Sequence, residues 1–208
     1  MSNAGREYII IGAGGHAAVI ADILLSSGCF VKGYLDDNLI TGTEVLGIKV
    51  IGKPDDYADH KGCLFIIGIG DNYTRRKIAQ AYPLEYGRAI HPSAEIGREV
   101  EIGRGSVVMA GCVINTRTVI GEHCIINTRV CSDHDNRIGD FAHISPGAVL
   151  GGTVIVGERS HIGLGASVRN NISIGDDVII GAGAVVINDI PPNCTAVGVP
   201  AVPVNRKA

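Results

Sequence analysis

Residues 96–125 read IGREVE IGRGSV VMAGCV INTRTV IGEHCI, so an aliphatic residue returns at every sixth position. The phase continues to residue 186 without an insertion, and fifteen of the sixteen leading positions are aliphatic. The fifth position is mostly small or β-branched, and the second is often glycine. Neither the 3.6-residue period of a helix nor the two-residue period of a strand produces this regular six-residue repeat. The pattern predicts a solenoid of three-hexad coils, with leading residues pointing inward and residues 18 apart stacked.

The repeat also predicts the dimensions of the solenoid and its end. With about 4.8 Å between stacked strands, the sixteen hexads would form a prism roughly 25 Å tall. We expect the second-position glycines to ease the corners of each coil. Prolines follow the repeat at positions 191, 192, 200 and 203. Because proline has no N–H to donate, we expect the ladder of strands to end before them.

Composition and charge argue against several classes of function. The 208 residues carry a formal net charge of −3 without a dense basic run, so we expect no nucleic acid and no membrane surface as partner. The apolar runs are too short to span a bilayer and no secretory leader is recognisable, which predicts a cytoplasmic protein. Six cysteines without CxxC spacing predict reduced core thiols.

Ahead of the repeat, strands alternate with helices. Tyr8–Ile11 reads as a buried strand that ends in a glycine turn, and apolar residues at helical spacing follow over 16–27. Further strands are predicted at 30–35 and 64–69, with a helix near 74–82. This order favours a small parallel sheet. We therefore predict a small α/β Rossmann-like N-terminal domain over residues 5–88 and the repeat domain, with its C-terminal tail, over 89–208.

The glycine turn matches a dinucleotide-binding fingerprint in its alanine-tolerant form, Gly12-x-Gly14-x-x-Ala17, with Asp36 and Asp37 about twenty residues further on. Bare glycine backbone at a helix N-terminus accepts phosphate oxygens, and a carboxylate after the second strand accepts ribose hydroxyls. The pattern fits a nucleotide-sugar site, a purely structural turn or a dinucleotide site. We favour the nucleotide sugar, because nothing beyond this domain reads as a hydride-transfer site.

One hexad, Ser132–Arg137, does not begin with an aliphatic residue, and five polar or charged residues follow its serine, which we expect to share one face. A break in a packing rule usually serves function. Imidazole titrates near neutral pH, so His134 is our candidate general base, supported by Asp135 or, failing that, Asp133. Alternatively, His134 only caps a solvated turn. Gly152, 18 residues after His134, offers a candidate backbone N–H for an oxyanion.

These motifs resemble a known family. The repeat is similar to that of the hexapeptide-repeat acyltransferases. The segments Gly12–His16, Gly33–Asp37 and Asn127–Gly147 resemble the sialic acid O-acetyltransferases and the UDP-4-amino-sugar N-acetyltransferases, and the resemblance extends from residue 8 to residue 200. It implies a left-handed parallel β-helix, acetyl-CoA as co-substrate, and a homotrimer with active sites between subunits.

The resemblance also implies roles for individual residues. It favours Asp135 as the acidic partner of His134, and acetyl-CoA would contact His143 and Gly152. The nucleotide sugar would bind to Gly14, Gly15, His16, Asp36 and Asp37.

We therefore expect N-acetylation of a UDP-linked 4-amino-4,6-dideoxy sugar. The amine would attack the thioester directly with His134 as base, because no cysteine or serine is evidently paired with a base. The alternatives are O-acetylation of a sialic acid or related sugar, a non-catalytic nucleotide-binding scaffold trimer, and a nicotinamide oxidoreductase. No metal is expected, since histidine intervals of nine and eighteen do not suit a shared site. We expect His161 to be an exposed residue stacked on His143.

Overall fold

The computed structural model describes residues 5–204 of the chain. The elements of the N-terminal unit are β1 (Glu7–Ile11), α1 (Gly15–Ser26), β2 (Phe30–Leu35), β3 (Glu44–Val45), β4 (Ile48–Gly52), a 3₁₀ helix (Pro54–His60), β5 (Leu64–Ile67) and α2 (Asn72–Ala81). They form one sheet in the order β3-β4-β2-β1-β5, parallel except for β3. The Rossmann-like expectation is therefore confirmed, while the sequence patterns missed the β3–β4 hairpin.

In the second unit, nearly every hexad contributes one two-residue strand. The strands are β6 (Ala89–Ile90), β7 (Glu95–Ile96), β8 (Glu101–Ile102), β9 (Val107–Val108), β10 (Val113–Ile114), β11 (Val119–Ile120), β12 (Ile125–Ile126), β13 (Cys131–Ser132), β14 (Arg137–Ile138), β15 (His143–Ile144), β16 (Val149–Leu150), β17 (Ile155–Val156), β18 (His161–Ile162), β19 (Ser167–Val168), β20 (Ser173–Ile174), β21 (Ile179–Ile180), β22 (Val185–Val186), β23 (Thr195–Val197) and β24 (Val202–Val204). The regular spacing of the strands follows the six-residue period of the sequence.

These strands stack into three parallel faces of a prism. Face 1 contains β7, β10, β13, β16, β19 and β22, face 2 contains β8, β11, β14, β17 and β20, and face 3 contains β6, β9, β12, β15, β18 and β21. Strand partners are 18 residues apart, as in the pairing of Ile114 with Ser132. The leading aliphatic residues form the buried core of the prism. The left-handed parallel β-helix is confirmed.

The corners of the prism are made differently from our expectation. The left-handed backbone occurs at the fourth position of fifteen of the sixteen hexads, where φ is 59° at Arg117 and 60° at Phe141, and not at the second. The second-position glycine is needed for stacking, because a Cβ on Gly103 would lie 2.4 Å from the carbonyl carbon of Gly121 in the next coil. The role assigned to these glycines was therefore wrong. They permit the close approach of successive coils.

Polar residues at the fifth position satisfy the backbone inside the prism. The Oγ of Ser106 accepts a hydrogen bond from the Cys124 N–H at 2.8 Å and donates to the Gly121 carbonyl at 2.8 Å. Ser160 accepts from the Val178 N–H at 2.9 Å in the same way. Each hydroxyl thus pairs a buried N–H that lies 18 residues further along the chain.

The C-terminal end of the ladder extends beyond the first prolines, so the expected end point was wrong. β23 pairs in parallel with β21 and extends face 3. β24 pairs antiparallel with β23, and Pro203 stands opposite Ala196. Proline is tolerated there because an edge strand has one side without ladder bonds.

The two units share a core. Ala89, Val107, Met109 and Ile125 on or beside face 3 pack with buried residues of β1 and α1. We propose a domain boundary between residues 88 and 89, because Ala89 already pairs with Val107 of the prism. Face 3 is consequently the face that the N-terminal unit covers.

Two compositional expectations concern cysteines and membranes. The six cysteines are free thiols, four of them buried and two partly exposed. No helix in the described part of the chain has the length and apolar character that a bilayer span requires.

Replacing Ser106 by alanine should destabilise the fold by about 1–3 kcal/mol, because the buried N–H of Cys124 loses its acceptor. Urea unfolding of the two proteins measures the difference in free energy. Ser173→Ala is the matched control, since that side chain is exposed on face 2 and should change stability little. Equal effects of the two substitutions would contradict the structural role of Ser106.

Candidate active site

His134 lies at the corner between faces 1 and 2, and 46% of its side chain is exposed. Its Nδ1 is 2.6 Å from Oδ2 of Asp135. Asp133 points elsewhere, because its Oδ1 accepts from the His134 backbone N–H at 2.8 Å and from Nδ2 of Asn115 at 2.9 Å. Of the two candidate carboxylates, the structure therefore brings Asp135 to the imidazole.

A second cation contacts the same carboxylate. Nε of Arg117 is 2.7 Å from Oδ1 of Asp135, and Nη2 is 2.8 Å from Oδ2. The hydrogen bonds from Arg117, followed by the one with His134, hold the pKa of Asp135 well below its usual range. Asp135 is therefore an ionised carboxylate shared between a guanidinium and an imidazole. Sequence reasoning missed Arg117, although its 18-residue spacing to Asp135 was a usable signal.

Gly152 lies directly against the imidazole. A Cβ on Gly152 would be 2.8 Å from Nε2 and Cε1 of His134, so any side chain there would displace the ring. Its backbone N–H forms no hydrogen bond with residues 5–204. The expected stacking of these two residues is confirmed.

The polar hexad does not share one face, in contrast to our expectation. Ser132 and Asn136 are fully buried inside the prism. Nδ2 of Asn136 donates to Oγ of Ser132 at 2.9 Å, and its Oδ1 accepts from the Val154 N–H at 2.7 Å. The hexad therefore combines a satisfied internal pair with an exposed corner that carries His134.

A cavity of about 630 Å³ lies between α2 and the edge of face 3. The residues around it come from the loop before α2, from α2 and from the prism. They are Gly70, Asp71, Asn72, Tyr73, His143, Arg159, His161, Asp177 and Ile179.

Two stacked histidines form one wall of this cavity. The rings of His143 and His161 are 4.7 Å apart and nearly parallel, as expected. Burial, and to a smaller extent the neighbouring His161, lower the pKa of His143 to about 3. The neutral Nε2 of His143 lies 3.0 Å from Nδ2 of Asn127, from which it accepts a hydrogen bond. His143 is therefore held neutral and fixed in orientation.

His161 differs from expectation in two respects. It is partly buried, and its Nε2 lies 2.7 Å from Oγ of Ser145. A serine is thus paired with an imidazole after all. Ser145 is only 4% exposed, so this hydroxyl is inaccessible to a substrate.

The glycine turn of the N-terminal unit has an open surface. A Cβ on Gly14 or Gly15 would meet nothing within 4 Å, whereas Gly12 has a φ of 93° and is tightly packed. The next residue, His16, has a buried Nε2 without a hydrogen-bond partner among residues 5–204. Burial lowers the pKa of His16 to about 4, and the charge of Arg75 adds to this effect.

The two aspartates after β2 have different surroundings. Asp36 accepts hydrogen bonds from the N–H groups of Ala13 (2.8 Å), Asn38 (2.8 Å) and Leu39 (2.9 Å). Partial burial acts to raise the pKa of Asp36, but these donors outweigh it and the pKa is lowered. Asp36 therefore holds the glycine turn in place. Asp37 is exposed beside it.

Arg75 on α2 joins the two units, and sequence reasoning missed it. It is 1% exposed, and its guanidinium donates to the carbonyls of His123 and Phe141 at 2.8 Å and to that of Gly70 at 3.0 Å. Burial lowers the pKa of Arg75 to about 10, which leaves the group charged at neutral pH. No pattern in the sequence distinguishes Arg75 from the adjacent Arg76.

The exposed dyad and the cavity lie on different sides of one chain. His134 is on the edge between faces 1 and 2, whereas His143 and His161 are on face 3. In a three-sided prism, the edge between two faces lies opposite the third face. One chain alone therefore does not bring His134 to the cavity.

Comparisons with known proteins bear on this arrangement. The family model of the PglD N-terminal domain matches residues 7–82. Perosamine N-acetyltransferase from Caulobacter crescentus, solved with CoA and GDP-perosamine, is 39% identical, with a TM-score of 0.89 over 98% of each chain. The acetyltransferase domain of PglB from Neisseria gonorrhoeae is 37% identical, with a TM-score of 0.89 over 96% of this chain and 100% of that one.

A curated relative gives the same result. UDP-N-acetylbacillosamine N-acetyltransferase of Bacillus subtilis is 40% identical over 116 residues, which is 50% of this chain and 52% of that protein. The chain belongs to the hexapeptide-repeat sugar acyltransferases. Its relatives include the N-acetyltransferases of GDP-perosamine and UDP-N-acetylbacillosamine, in agreement with the sequence resemblance. The chain spans between 12% and 72% of the lengths of the curated relatives.

The co-substrate of the family is visible in the solved neighbours. The Caulobacter enzyme contains CoA, and the Neisseria domain has been solved with acetyl coenzyme A. Among residues 5–204 of this acyltransferase, no group of three histidine, cysteine or acidic side chains is arranged to hold a metal ion.

Replacing Arg75 by methionine should destabilise this acyltransferase by about 3 kcal/mol or more, because the buried carbonyl of His123 and the partly buried carbonyl of Phe141 lose their donor. Chemical denaturation measures the loss. Arg76→Met is the control, since Arg76 is the partly exposed neighbour on the same helix and should change stability by less than about 1 kcal/mol. A stable Arg75→Met protein would refute the joining role.

Proposed function

We propose that the chain transfers an acetyl group from acetyl-CoA to the 4-amino group of a nucleotide-linked 4-amino-4,6-dideoxy sugar. The observation that carries the proposal is the exposed dyad of His134 and Asp135, joined at 2.6 Å beside Gly152. Its position in the polar hexad of an otherwise aliphatic repeat supports a functional origin.

The dyad has the geometry of a general base. With Nδ1 donating its proton to Asp135, the Nε2 of His134 carries a free lone pair. The neutral sugar amine attacks the thioester carbonyl carbon, and Nε2 takes the proton that the nitrogen loses. Collapse of the tetrahedral intermediate breaks the C–S bond, and the CoA sulfur leaves with that proton from the imidazolium. The N–H of Gly152, which has no acceptor within residues 5–204, would stabilise the oxyanion.

Direct attack is favoured over an acyl-enzyme. Among the described residues, two serine hydroxyls hydrogen-bond to an imidazole, and neither imidazole is His134. Ser145 is buried beside His161, and Ser93 lies beside His91 at the start of the prism. The dyad itself contacts no hydroxyl or thiol side chain in the described chain. The acetyl group therefore passes from sulfur to nitrogen in one displacement.

The site requires a second copy of the chain. Because the edge that carries His134 is opposite face 3, a neighbouring copy would present its own cavity to this edge. Exposed apolar side chains flank the edge, with Val149 44% exposed on face 1 and Ile155 46% exposed on face 2. We propose a homotrimer in which the arm of acetyl-CoA lies in the groove between neighbouring prisms.

Within that arrangement, the two acetyl-CoA contacts come from different copies. His143 faces the cavity on face 3, whereas Gly152 stands at the edge between faces 1 and 2. Because the ring of His143 already hydrogen-bonds to Asn127 and to the Gly70 backbone, this neutral imidazole would pack against an uncharged part of acetyl-CoA. The same acetyl-CoA molecule would contact Gly152 of the adjoining copy.

The nucleotide sugar would bind at the open glycine turn. Gly14 and Gly15 leave bare backbone at the N-terminus of α1, which suits a diphosphate. The exposed Asp37 would bind the ribose. Nε2 of His16 is buried and without a partner among residues 5–204, so His16 would contact the ligand only after its ring turns toward the open surface. Asp36 would act indirectly, by holding the turn through its bond to Ala13.

The sequence resemblance and the Caulobacter neighbour differ in the nucleotide that carries the sugar. We propose UDP, as the sequence resemblance favours, while the Caulobacter neighbour was solved with GDP-perosamine. CoA release with a UDP-linked 4-amino sugar should exceed that with GDP-perosamine, and both should exceed that with CMP-sialic acid or free sialic acid. A preference for a hydroxyl acceptor would favour the O-acetyltransferase alternative, and no turnover with any acceptor would favour the scaffold trimer.

Replacing His134 by alanine should lower kcat by roughly 10²–10⁴, because a general base contributes about that much. The KM values for both substrates should change little. His91→Ala is the matched control, since that histidine lies at the start of the prism and the side-chain hydrogen bonds of its ring within residues 5–204 are both to Ser93. A loss of less than about tenfold would remove His134 from the role of base.

A further inference from the structure

We propose that Arg117 is a positioning residue for acetyl transfer, which holds the Asp135 carboxylate in the orientation that His134 requires. The kinetic part of this inference rests on the proposed function, whereas its geometric part does not. It adds a third member to the dyad, one full coil below it.

The contact is a two-point ion pair across stacked corners. Nε and Nη2 of Arg117 engage the two oxygens of Asp135 at 2.7 and 2.8 Å. Oδ2 is also the oxygen that accepts from Nδ1 of His134 at 2.6 Å. Paired hydrogen bonds from the planar guanidinium define the plane of the carboxylate, which a single bond does not. The guanidinium of Arg117, one coil below, therefore fixes the plane of the Asp135 carboxylate so that Oδ2 points toward the imidazole of His134.

The exposure of Asp135 makes such support necessary. Its side chain is 35% exposed, and water competes there for both oxygens. Its backbone is left-handed, with a φ of 61°, at the fourth position of the hexad. The neighbouring Asp133 offers no substitute, because Asn115 and the His134 backbone N–H occupy its Oδ1. Without Arg117, the carboxylate would be free to rotate into solvent.

Arg117 is free to hold Asp135 because its other electrostatic interactions are weak. Its side chain is 54% exposed, and within residues 5–204 the charges that act on it most are those of Asp135 and, more weakly, Glu99. Exposed ion pairs contribute little to global stability. Stabilisation of the fold therefore does not account for an arginine at position 117. Replacing Arg117 should leave the fold intact.

Arg117→Gln should lower kcat on the order of tenfold, a part of the roughly 10²–10⁴ that the base supplies, with both KM values unchanged. Arg117→Lys keeps the charge without the paired hydrogen bonds and should recover only part of the activity. In the Asp135→Asn background, Arg117→Gln should lower kcat by less than about twofold, because the residue acts through Asp135. Full additivity of the two substitutions would overturn the inference.

Arg104→Gln is the matched control. Nε of Arg104 pairs with Glu122 at 2.9 Å, also 18 residues apart on exposed corners, but no imidazole is bonded to that carboxylate. This variant should keep the wild-type kcat and thermal midpoint. An equal loss of kcat in both arginine variants would indicate a general effect on the prism and would overturn the inference.

A crystal structure of Arg117→Gln tests the geometry without any turnover. We expect Oδ2 of Asp135 to lie beyond hydrogen-bond distance of Nδ1 of His134, in place of the present 2.6 Å. A carboxylate that stays in place would overturn the inference even in an active enzyme. If the wild-type protein acetylates no nucleotide-linked amino sugar, the proposed function fails while this structural result still decides the role of Arg117.

Discussion

The left-handed backbone at the fourth position of fifteen of the sixteen hexads is the constraint on which the rest of the structure depends. Ten non-glycine residues adopt it in the repeat, including Arg117, Asp135 and Phe141. An L-residue there costs about 1–2 kcal/mol. Burial of one aliphatic side chain in nearly every hexad offsets that cost, at about 1.5–3 kcal/mol per side chain. The buried aliphatic residue and the strained corner are thus two parts of one repeating unit, and the first offsets the cost of the second.

The 18-residue register converts sequence spacing into contact. It places Arg117 below Asp135 and His143 below His161. The same register brings His134 to the bare backbone of Gly152. Interacting side chains in this fold therefore lie in columns, in which each residue is stacked on the one 18 positions earlier in the sequence. A polar column on the outside costs little, while polar groups inside, such as Ser132 and Asn136, are kept because they bond to each other and to the next coil.

A buried cation organises the other half of the molecule. Arg75 crosses from α2 to two corners of the prism, and its charge adds to burial in keeping His16 and His143 neutral. The cavity is consequently lined by imidazoles that donate and accept hydrogen bonds without carrying charge. The exposed dyad of His134 is on the opposite edge, so His134 and the cavity are separated within one chain.

The six-residue aliphatic period determined the prism by itself, because no other regular backbone keeps a buried residue in that phase. The order of strands and helices likewise predicted the parallel sheet, and the single break in the period located His134. Only the tertiary structure decided that Asp135 and not Asp133 meets the imidazole, that Ser132 and Asn136 turn inward, and that Pro203 joins an edge strand. It also selected Arg75 over Arg76. A period records which residues face the core, whereas the direction of a polar side chain depends on donors and acceptors that folding brings from distant parts of the chain.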